Sequence, residues 1–455
     1  MSSIEHPQTV SRFPRPPLVK GLPVIGSLRD LLQNPHAFVK QAYRQHGEVF
    51  RFRALHREYV VLAGQDANRL VAGENRDLFC VDGFWGKAMQ YMGCPHMLVG
   101  VDGEIHAHQR NLMLPLLSQN AFRDRIASLA EPVQSLLLKN AGREEITWGP
   151  LARQLVSHQI GYNLQGYKTS YRTVQQMIYY FGGVMNVFGL RKWPRGMLLT
   201  PRFLLAKAVT RRQVETTLAR AEQRTPAERQ SHPLYLDTIL PALKSRPDWY
   251  SRGDMHSHAM LPFIAALDTV ASTLGFMLYR LLREPSLQQR LQAEVDAAFR
   301  HGLPDIKTLR TLDDLNGMVK ETLRLQPTAF GITRNATRDF VFRDHRIRKG
   351  DDILIFTTAD HTNPDFFPDP DTFNIERYRA PRNEHRSPAY APFGKGPHMC
   401  LGASLADIIL PLNLGLILYH LEITPACDLN TVKTVFNPAP VLSDTFKIRL
   451  RLRHN

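Results

Sequence analysis

A glycine-rich segment near the C-terminus, FGKGPHMCLG over residues 393–402, places Cys400 directly before a long apolar run. That run, residues 401–419, is apolar almost all round and predicts a helix buried in the core. A cysteine at a helix N-terminus gains amide donors and the positive end of the helix dipole, which lower the pKa of its thiol. The glycines let the backbone turn tightly and let a flat group approach it closely. The segment therefore predicts a thiolate that binds a metal, and the alternative is a buried structural cysteine.

The spacing Phe393-x-x-Gly396-x-x-x-Cys400-x-Gly402 is similar to the haem-binding loop of the cytochrome P450 family. The resemblance implies that Cys400 is the proximal ligand of the iron of haem b, with Phe393 and Gly402 beside the macrocycle. A thiolate ligand pushes electron density onto the iron and favours cleavage of the O–O bond. The resemblance covers nearly the whole chain. It implies a mainly α fold, a large helical body with a small β-rich subdomain, in which the haem lies between a central helix and the helix after the cysteine loop.

Hydrophobic periodicity predicts where the helices and strands lie. The predicted helices are 65–71, 105–117, 121–140, 149–164, 171–189, 203–222, 255–283, 286–300 and 314–325. The predicted strands are 48–53, 59–62, 339–342 and 352–356, with a terminal hairpin over 432–452. We expect a single domain, residues 1–455 with a Pro-rich lead over 1–23, because no later Pro-, Gly- or Ser-rich stretch is long enough to be a linker.

The predicted helix 255–283 carries an acid and an alcohol in an otherwise apolar interior. Asp268 supplies a carboxylate for proton transfer, and the hydroxyl of Thr269 can bond a carbonyl one turn back. The string Ala265-Ala-Leu-Asp-Thr269 is similar to the family's oxygen-binding motif, which implies that Asp268 and Thr269 are catalytic and that Ala265 faces the haem. The alternative for Thr269 is an ordinary helical threonine bonded to its own backbone.

Glu321 and Arg324 stand three residues apart on a predicted helix, which would ordinarily be a weak surface salt bridge. Here the pair resembles the family's Glu-x-x-Arg motif, and Arg377 would be the third member of a buried network. We expect these three residues to support the cysteine loop without taking part in the chemistry.

Haem propionates are anions and need fixed donors, preferably arginine. Four residues match the family's propionate ligands, and individually each could be an ordinary solvated basic residue. They are His106, Arg110, Arg334 and His398.

The segments that match the family's variable substrate-contact regions are rich in aromatic residues, methionine and glycine. They predict an adaptable apolar cavity for a lipophilic molecule, and the alternative is that they are core stripes of amphipathic helices. The candidate contacts are Phe84, Met89, Phe181, Leu261, Ala265, Ala329 and Phe330.

The chain has 57 Lys and Arg against 42 Asp and Glu, a formal net charge of +15. Such a balance indicates an acidic partner. The basic residues are dispersed, so we expect no nucleic-acid binding. An acidic ferredoxin or flavodoxin, working with its reductase, explains the positive sign of the net charge equally well and could dock near Lys395. Four widely spaced cysteines and the lack of a signal peptide or a long uninterrupted apolar run predict a soluble cytoplasmic protein with at most peripheral membrane contact.

We therefore expect a haem-thiolate monooxygenase that activates O2 and inserts one oxygen atom into a lipophilic small molecule. The electrons would come from a separate protein, because the sequence contains no flavin, nicotinamide or phosphate-binding motif. Two alternatives stay open: an H2O2-driven peroxygenase on the same fold, and a non-enzymatic haem-based ligand sensor.

Overall fold

The computed structural model describes residues 10–436 and 439–453. Helices make up 58% of the structure, which confirms the mainly α class. The described α-helices are α1 (Leu28–Gln33), α2 (Pro35–His46), α3 (Gly64–Ala72), α4 (Asp82–Met92), α5 (Gly103–Leu116), α6 (Ile126–Asn140), α7 (Trp148–Ile160), α8 (Tyr171–Val184), α9 (Pro201–Gln223), α10 (Pro226–Ser231), α11 (Tyr235–Lys244), α12 (Arg252–Arg283), α13 (Pro285–Phe299), α14 (Ile306–Arg310), α15 (Asp313–Leu325) and α16 (Ala403–His420). The predicted helical ranges match these helices closely, although the range 121–140 begins five residues too early.

Within residues 10–436 and 439–453 the strands form four small sheets. They are β1 (Val49–Ala54), β2 (Arg57–Ala63), β3 (Phe79–Cys80), β4 (Ile146–Thr147), β5 (Ile332–Ala336), β6 (Phe340–Phe342), β7 (His345–Ile347), β8 (Asp352–Phe356), β9 (Leu421–Pro425), β10 (Thr434–Phe436), β11 (Pro440–Leu442) and β12 (Lys447–Leu452). The largest sheet has the order β1-β2-β8-β5-β3, and its β2–β8 pair is parallel. The Pro-rich lead joins this sheet, since Arg51 donates its amide to Pro17 O at 2.8 Å.

The predicted terminal hairpin over 432–452 is wrong in its extent. β10 and β11 pair with each other, but β12 pairs with β9, with Leu450 opposite Ile423. The apolar residues of β12 reach a buried face of the helical body there, whereas a longer hairpin would leave them in solvent. Residues 437–438 of the predicted hairpin, like residues 1–9 and 454–455 of the predicted domain, lie outside the described residues. The single-domain assignment stays a prediction.

α12 and α16 lie in the centre of the helical body. Ser251 caps α12: its hydroxyl accepts from the amide of Asp254, and the carboxylate of Asp254 accepts from the amide of Ser251. The capping box fixes where this 32-residue helix begins. Both helices are long and apolar enough to cross a membrane, but 67% of the apolar window of each is buried inside the fold. They are core helices of this structure.

Candidate functional site

The cysteine loop folds back on itself just before α16. The amide of Cys400 donates to Phe393 O at 2.9 Å, and the amide of Met399 donates to Gly396 O at 3.0 Å. Gly396 has a φ of +83°, and a Cβ there would lie 2.5 Å from the carbonyl oxygen of Val71. A glycine is therefore required at position 396, both for the turn and for its contact with α3. α16 begins at Ala403, two residues later than predicted.

Cys400 is exposed, yet its thiol is surrounded closely enough by protein for desolvation to act on it. Burial raises the pKa of this thiol, although hydrogen bonds from the Gly402 and Ala403 amides and the charge of Arg110 act to lower it. The amides at the start of the helix therefore act in the expected direction, but desolvation of the sulfur outweighs them. A coordinating metal deprotonates a thiol outright, so the amides would orient and stabilise a sulfur that the metal ionises.

Glu321, Arg324 and Arg377 form the predicted network. Both guanidiniums pair with the carboxylate of Glu321, Arg324 at 2.7 Å and Arg377 at 3.2 Å, and all three side chains are at most 1% exposed. Tyr378 donates its hydroxyl to Glu321 at 2.6 Å. Arg324 also donates to the carbonyl oxygen of His361 at 2.6 Å. The network thus ties α15 to the long coil that precedes the cysteine loop.

His361 connects that network to the cysteine loop, and no local sequence pattern marks it. Its Nδ1 lies 3.0 Å from Arg324 O, and its Nε2 lies 2.9 Å from the amide nitrogen of Ala391. The carbonyl of Ala391 in turn accepts from the amide of Gly394 at 3.1 Å. Burial lowers the pKa of His361 to about 3, so the ring is neutral, with Nδ1–H donating and Nε2 accepting.

The four predicted anion ligands lie together beside the cysteine loop. The rings of His106 and His398 stack with centroids 3.9 Å apart, and His398 Nε2 lies 2.8 Å from Asp102 Oδ1. Arg110 donates to Met399 O at 2.7 Å, and Arg334, on β5, donates to the neighbouring Thr333 O at 2.7 Å. The two arginines therefore contact backbone carbonyls in this cluster.

Burial disfavours the charged forms of the basic groups in this cluster, although the carboxylate of Asp102 acts in the opposite direction on Arg334 and His106. Burial lowers the pKa of Arg334 to about 10 and that of His106 to about 4, and it also lowers the pKa of Arg110. The Nε2 atom of His106 is buried and makes no hydrogen bond within the described residues. Buried cations and an unpaired ring nitrogen are costly unless an anion pairs with them. The cluster is therefore suited to bind carboxylates.

α12 brings Ala265, Asp268 and Thr269 to one side of the helix. Thr269 donates its hydroxyl to Ala265 O at 2.9 Å, with Ala266 O at 3.2 Å, as its helical position predicts. Ala265 is exposed although the helix around it is largely buried. A groove therefore opens along α12 at this turn.

Asp268 is paired with a residue that sequence analysis missed. Arg153, on α7, donates Nε–H to Asp268 Oδ1 at 2.7 Å, and this ion pair raises the pKa of the guanidinium against the opposing effect of burial. Tyr171, at the start of α8, also bonds Arg153. The side chains of Arg153 and Asp268 are 26% and 19% exposed. Asp268 thus lies between the groove of α12 and the partly solvated side chain of Arg153.

The four residues His106, Arg110, Arg334 and His398 are called the basic cluster. A cavity of about 440 Å³, the main cavity, extends from the groove of α12 to Arg334 and His398 of this cluster. Its walls come from α4, α8, α12 and β5. They include the aromatic side chains of Phe84, Trp85 and Phe181 and the polar side chains of Asp268, Thr269, Arg334 and His398. After Val184 the backbone of α8 widens into one π-helical turn, which places Met185 and Asn186 on the wall. The cavity is mostly apolar and has its polar groups at one end.

The other predicted substrate contacts are distributed differently. Met89 and Leu261 are buried in the helical core, at 0% and 7% exposure. Phe330 stacks on His36 at 5.3 Å, on the β1-β2-β8 side of the fold, while Gly331 and Ile332 line the main cavity. Ala329 is exposed. Phe330 and Gly331 lie on opposite sides of the segment before β5, because successive residues of an extended chain point in opposite directions.

The family model for cytochrome P450 matches residues 16–447. The chain belongs to the cytochrome P450 family. A putative cytochrome P450 120 from Synechocystis sp. is 24% identical over 98% of this chain and 99% of its own length. Thromboxane-A synthase from Mus musculus is 35% identical over 39% of this chain and 34% of its own length. The solved structure of retinoic-acid-bound cyanobacterial CYP120A1 matches 97% of this chain and 100% of its own with a TM-score of 0.82 at 22% identity, which shows the same fold.

Cytochrome P450 proteins bind haem b, and this chain is a monooxygenase of that family. The residues described above fit the cofactor. Cys400 is exposed, and among the described residues the basic cluster offers the propionates a His106 Nε2 with no hydrogen-bond partner and two arginines, Arg110 and Arg334, whose side chains donate to backbone carbonyls. Arg334 and His398 line the main cavity at its polar end, which places the acid–alcohol pair of α12 on a wall of the same cavity.

Proposed function

We propose that this cytochrome P450 inserts one oxygen atom from O2 into a lipophilic small molecule, by hydroxylation or epoxidation. The observation that carries the proposal is the main cavity, in which aromatic walls and the Asp268–Thr269 pair meet in one space. A cavity with apolar walls and polar groups at one end binds an apolar molecule and orients it. The cyanobacterial structure with the same fold holds retinoic acid, a molecule of this class.

Cys400 would hold the haem iron, and His106, Arg110, Arg334 and His398 would hold its propionates, with Phe393, Gly402 and Ala265 beside the macrocycle. The bound haem supplies the reductive activation of O2. The role of the buried Glu321–Arg324–Arg377 network is to fix the loop that carries Cys400.

Asp268 and Thr269 would deliver protons to the main cavity. The ion pair with Arg153 holds Oδ1 of Asp268 toward a partly solvated side of the fold, where the carboxylate can exchange protons with water. The hydroxyl of Thr269 bonds Ala265 O in the structure, so it must leave that carbonyl to donate into the cavity. Proton delivery then follows the order water, Asp268, Thr269, main cavity.

The electrons would come from an acidic ferredoxin or flavodoxin with its reductase, and the protein would work in the cytoplasm. The formal net charge of +15 supports an acidic partner. Lys395 lies in the cysteine loop, five residues before Cys400. A partner docked there would be close to the proposed iron ligand.

Two measurements on the haem-loaded protein test this proposal. A library of lipophilic molecules is screened for the spin-state change in the absorption spectrum that marks displacement of iron-bound water. A hit is then turned over with O2 and a ferredoxin–reductase couple, and separately with H2O2. Product that requires the couple supports the proposal, whereas product formed only with H2O2 favours the peroxygenase.

A further inference from the structure

A second cavity, the side cavity, of about 340 Å³ lies beside the main cavity along α12. Its apolar wall consists of Met92, Tyr180, Val214 and Met260. Met260 lines the side cavity and Ile264 lines the main cavity, so the two spaces are about one helical turn apart. The two cavities share no lining residue.

One wall of the side cavity is fixed by close backbone contact. A Cβ on Gly253, in the first turn of α12, would lie 1.6 Å from the carbonyl oxygen of Gly93, at the end of α4. The two backbones therefore touch without an intervening side chain. The position of this wall of the side cavity is therefore set by backbone contact between α12 and the end of α4, in addition to the side chains that line it.

The mouth of the side cavity carries positive charge in excess. Lys207, Arg211 and Arg252 are exposed at the rim, together with the partly buried His256. Glu215 pairs with Arg252 at 2.7 Å and with His256 at 3.2 Å. Among residues 10–436 and 439–453, no ion pair within 4 Å involves Lys207 or Arg211. The charge of Arg211 also acts on Glu215, and Lys207 lies 5.0 Å from the centroid of the Tyr91 ring. Among the described residues at the mouth, the cations Lys207, Arg211 and Arg252 therefore outnumber the carboxylate of Glu215.

A buried hydroxyl in the wall is also without a partner in the part of the chain that the structure describes. Thr210, on α9 between Lys207 and Arg211, is 4% exposed, and its Oγ1 makes no hydrogen bond to any described residue. A helical threonine ordinarily bonds a carbonyl one turn back, as Thr217 does on the same helix. A rotation of the Thr210 side chain would bring its hydroxyl to an acceptor in the cavity.

We propose that the side cavity is a binding site for a small amphiphile with an anionic head group. Its carboxylate would lie at Lys207 and Arg211, its chain would pack on Tyr180, Val214 and Met260, and Thr210 would donate to the head group. Exposed cations in excess of the nearby carboxylate attract an anion, and the apolar wall behind them favours an alkyl chain. This inference is independent of the reaction proposed for the main cavity.

Decanoate is the probe, and its binding to the haem-loaded protein is measured by calorimetry while an azole ligand on the iron fills the main cavity. We expect one saturable site, with the azole absorption spectrum unchanged. In the double variant Lys207→Gln/Arg211→Gln the dissociation constant should rise about tenfold, as expected for two partly exposed charge pairs. The matched control, Arg212→Gln, removes a neighbouring exposed arginine of α9 that does not line the cavity and should bind as wild type.

Decanol should bind the wild type and the double variant equally, because it has the same chain without the charge. Thr210→Val, which keeps the shape of the side chain, should weaken decanoate binding by a factor of about three. The proposal is overturned if decanoate binds only by displacing the azole, if the double variant binds as wild type, or if Arg212→Gln weakens binding as much as the double variant.

Discussion

Replacement of Glu321 by glutamine should destabilise the protein far more than the loss of a surface ion pair. The carboxylate accepts hydrogen bonds from Arg324 at 2.7 Å, from Arg377 at 3.2 Å and from Tyr378 at 2.6 Å. The two guanidiniums are at most 1% exposed. Removal of the charge leaves Arg324 buried against backbone carbonyls, while Arg377 keeps its pair with Glu384 at 3.2 Å. Breaking a buried pair in this way costs about 3–5 kcal/mol.

The matched control is Glu222→Gln. Glu222 pairs with Lys244 at 2.6 Å, but the two side chains are 52% and 50% exposed, so its loss should cost under about 1 kcal/mol. Urea unfolding of the haem-loaded proteins, followed by far-ultraviolet circular dichroism, gives both free energies of unfolding. The reasoning is refuted if the two variants lose stability equally.

Three further predictions follow from the site and its surroundings. Asp268→Asn should lower coupled turnover about 100-fold, because the proton donor is lost, while Thr273→Ala, one turn further along α12, should leave product per electron unchanged. His361→Phe leaves a buried carbonyl and a buried amide unpaired, so its haem should transfer to apomyoglobin faster than that of wild type. Burial lowers the pKa of His258 to about 4 in the folded protein, whereas a histidine in the unfolded chain titrates near its ordinary value of about 6.5. The free energy of unfolding should therefore be highest above pH 6.5 and should fall by about 1.4 kcal/mol per pH unit as the pH is lowered toward 4. His258→Phe should make the unfolding free energy less dependent on pH in that range, and an unchanged slope would contradict this assignment.

The features that could be predicted from sequence are those written in neighbouring residues. The cysteine loop, the apolar run of α16 and the acid–alcohol pair of α12 each lie within ten to twenty residues, so local spacing and periodicity suffice to locate them. The Glu321–Arg324 pair is likewise one turn of a single helix.

The features that could not be predicted depend on contacts between distant parts of the chain. Arg153 pairs with Asp268 from another helix, 115 residues away, and no local pattern marks an arginine as the partner of a particular carboxylate. His361 acts through main-chain atoms at residues 324 and 391, which any residue type could provide. The amides at the helix N-terminus lower the pKa of Cys400 as expected, but the opposing effect of burial depends on how deeply the sulfur is packed, which local sequence does not reveal.

Ligation of the haem iron by the sulfur of Cys400 is measured by the absorption spectrum of the reduced, carbon-monoxide-bound protein. We expect the long-wavelength Soret band of a thiolate-ligated haem in the wild type and its loss in Cys400→His, with Cys427→Ser as the control that retains it. A wild-type protein that takes up no haem, or whose band lies at the shorter wavelength of histidine ligation, would contradict it.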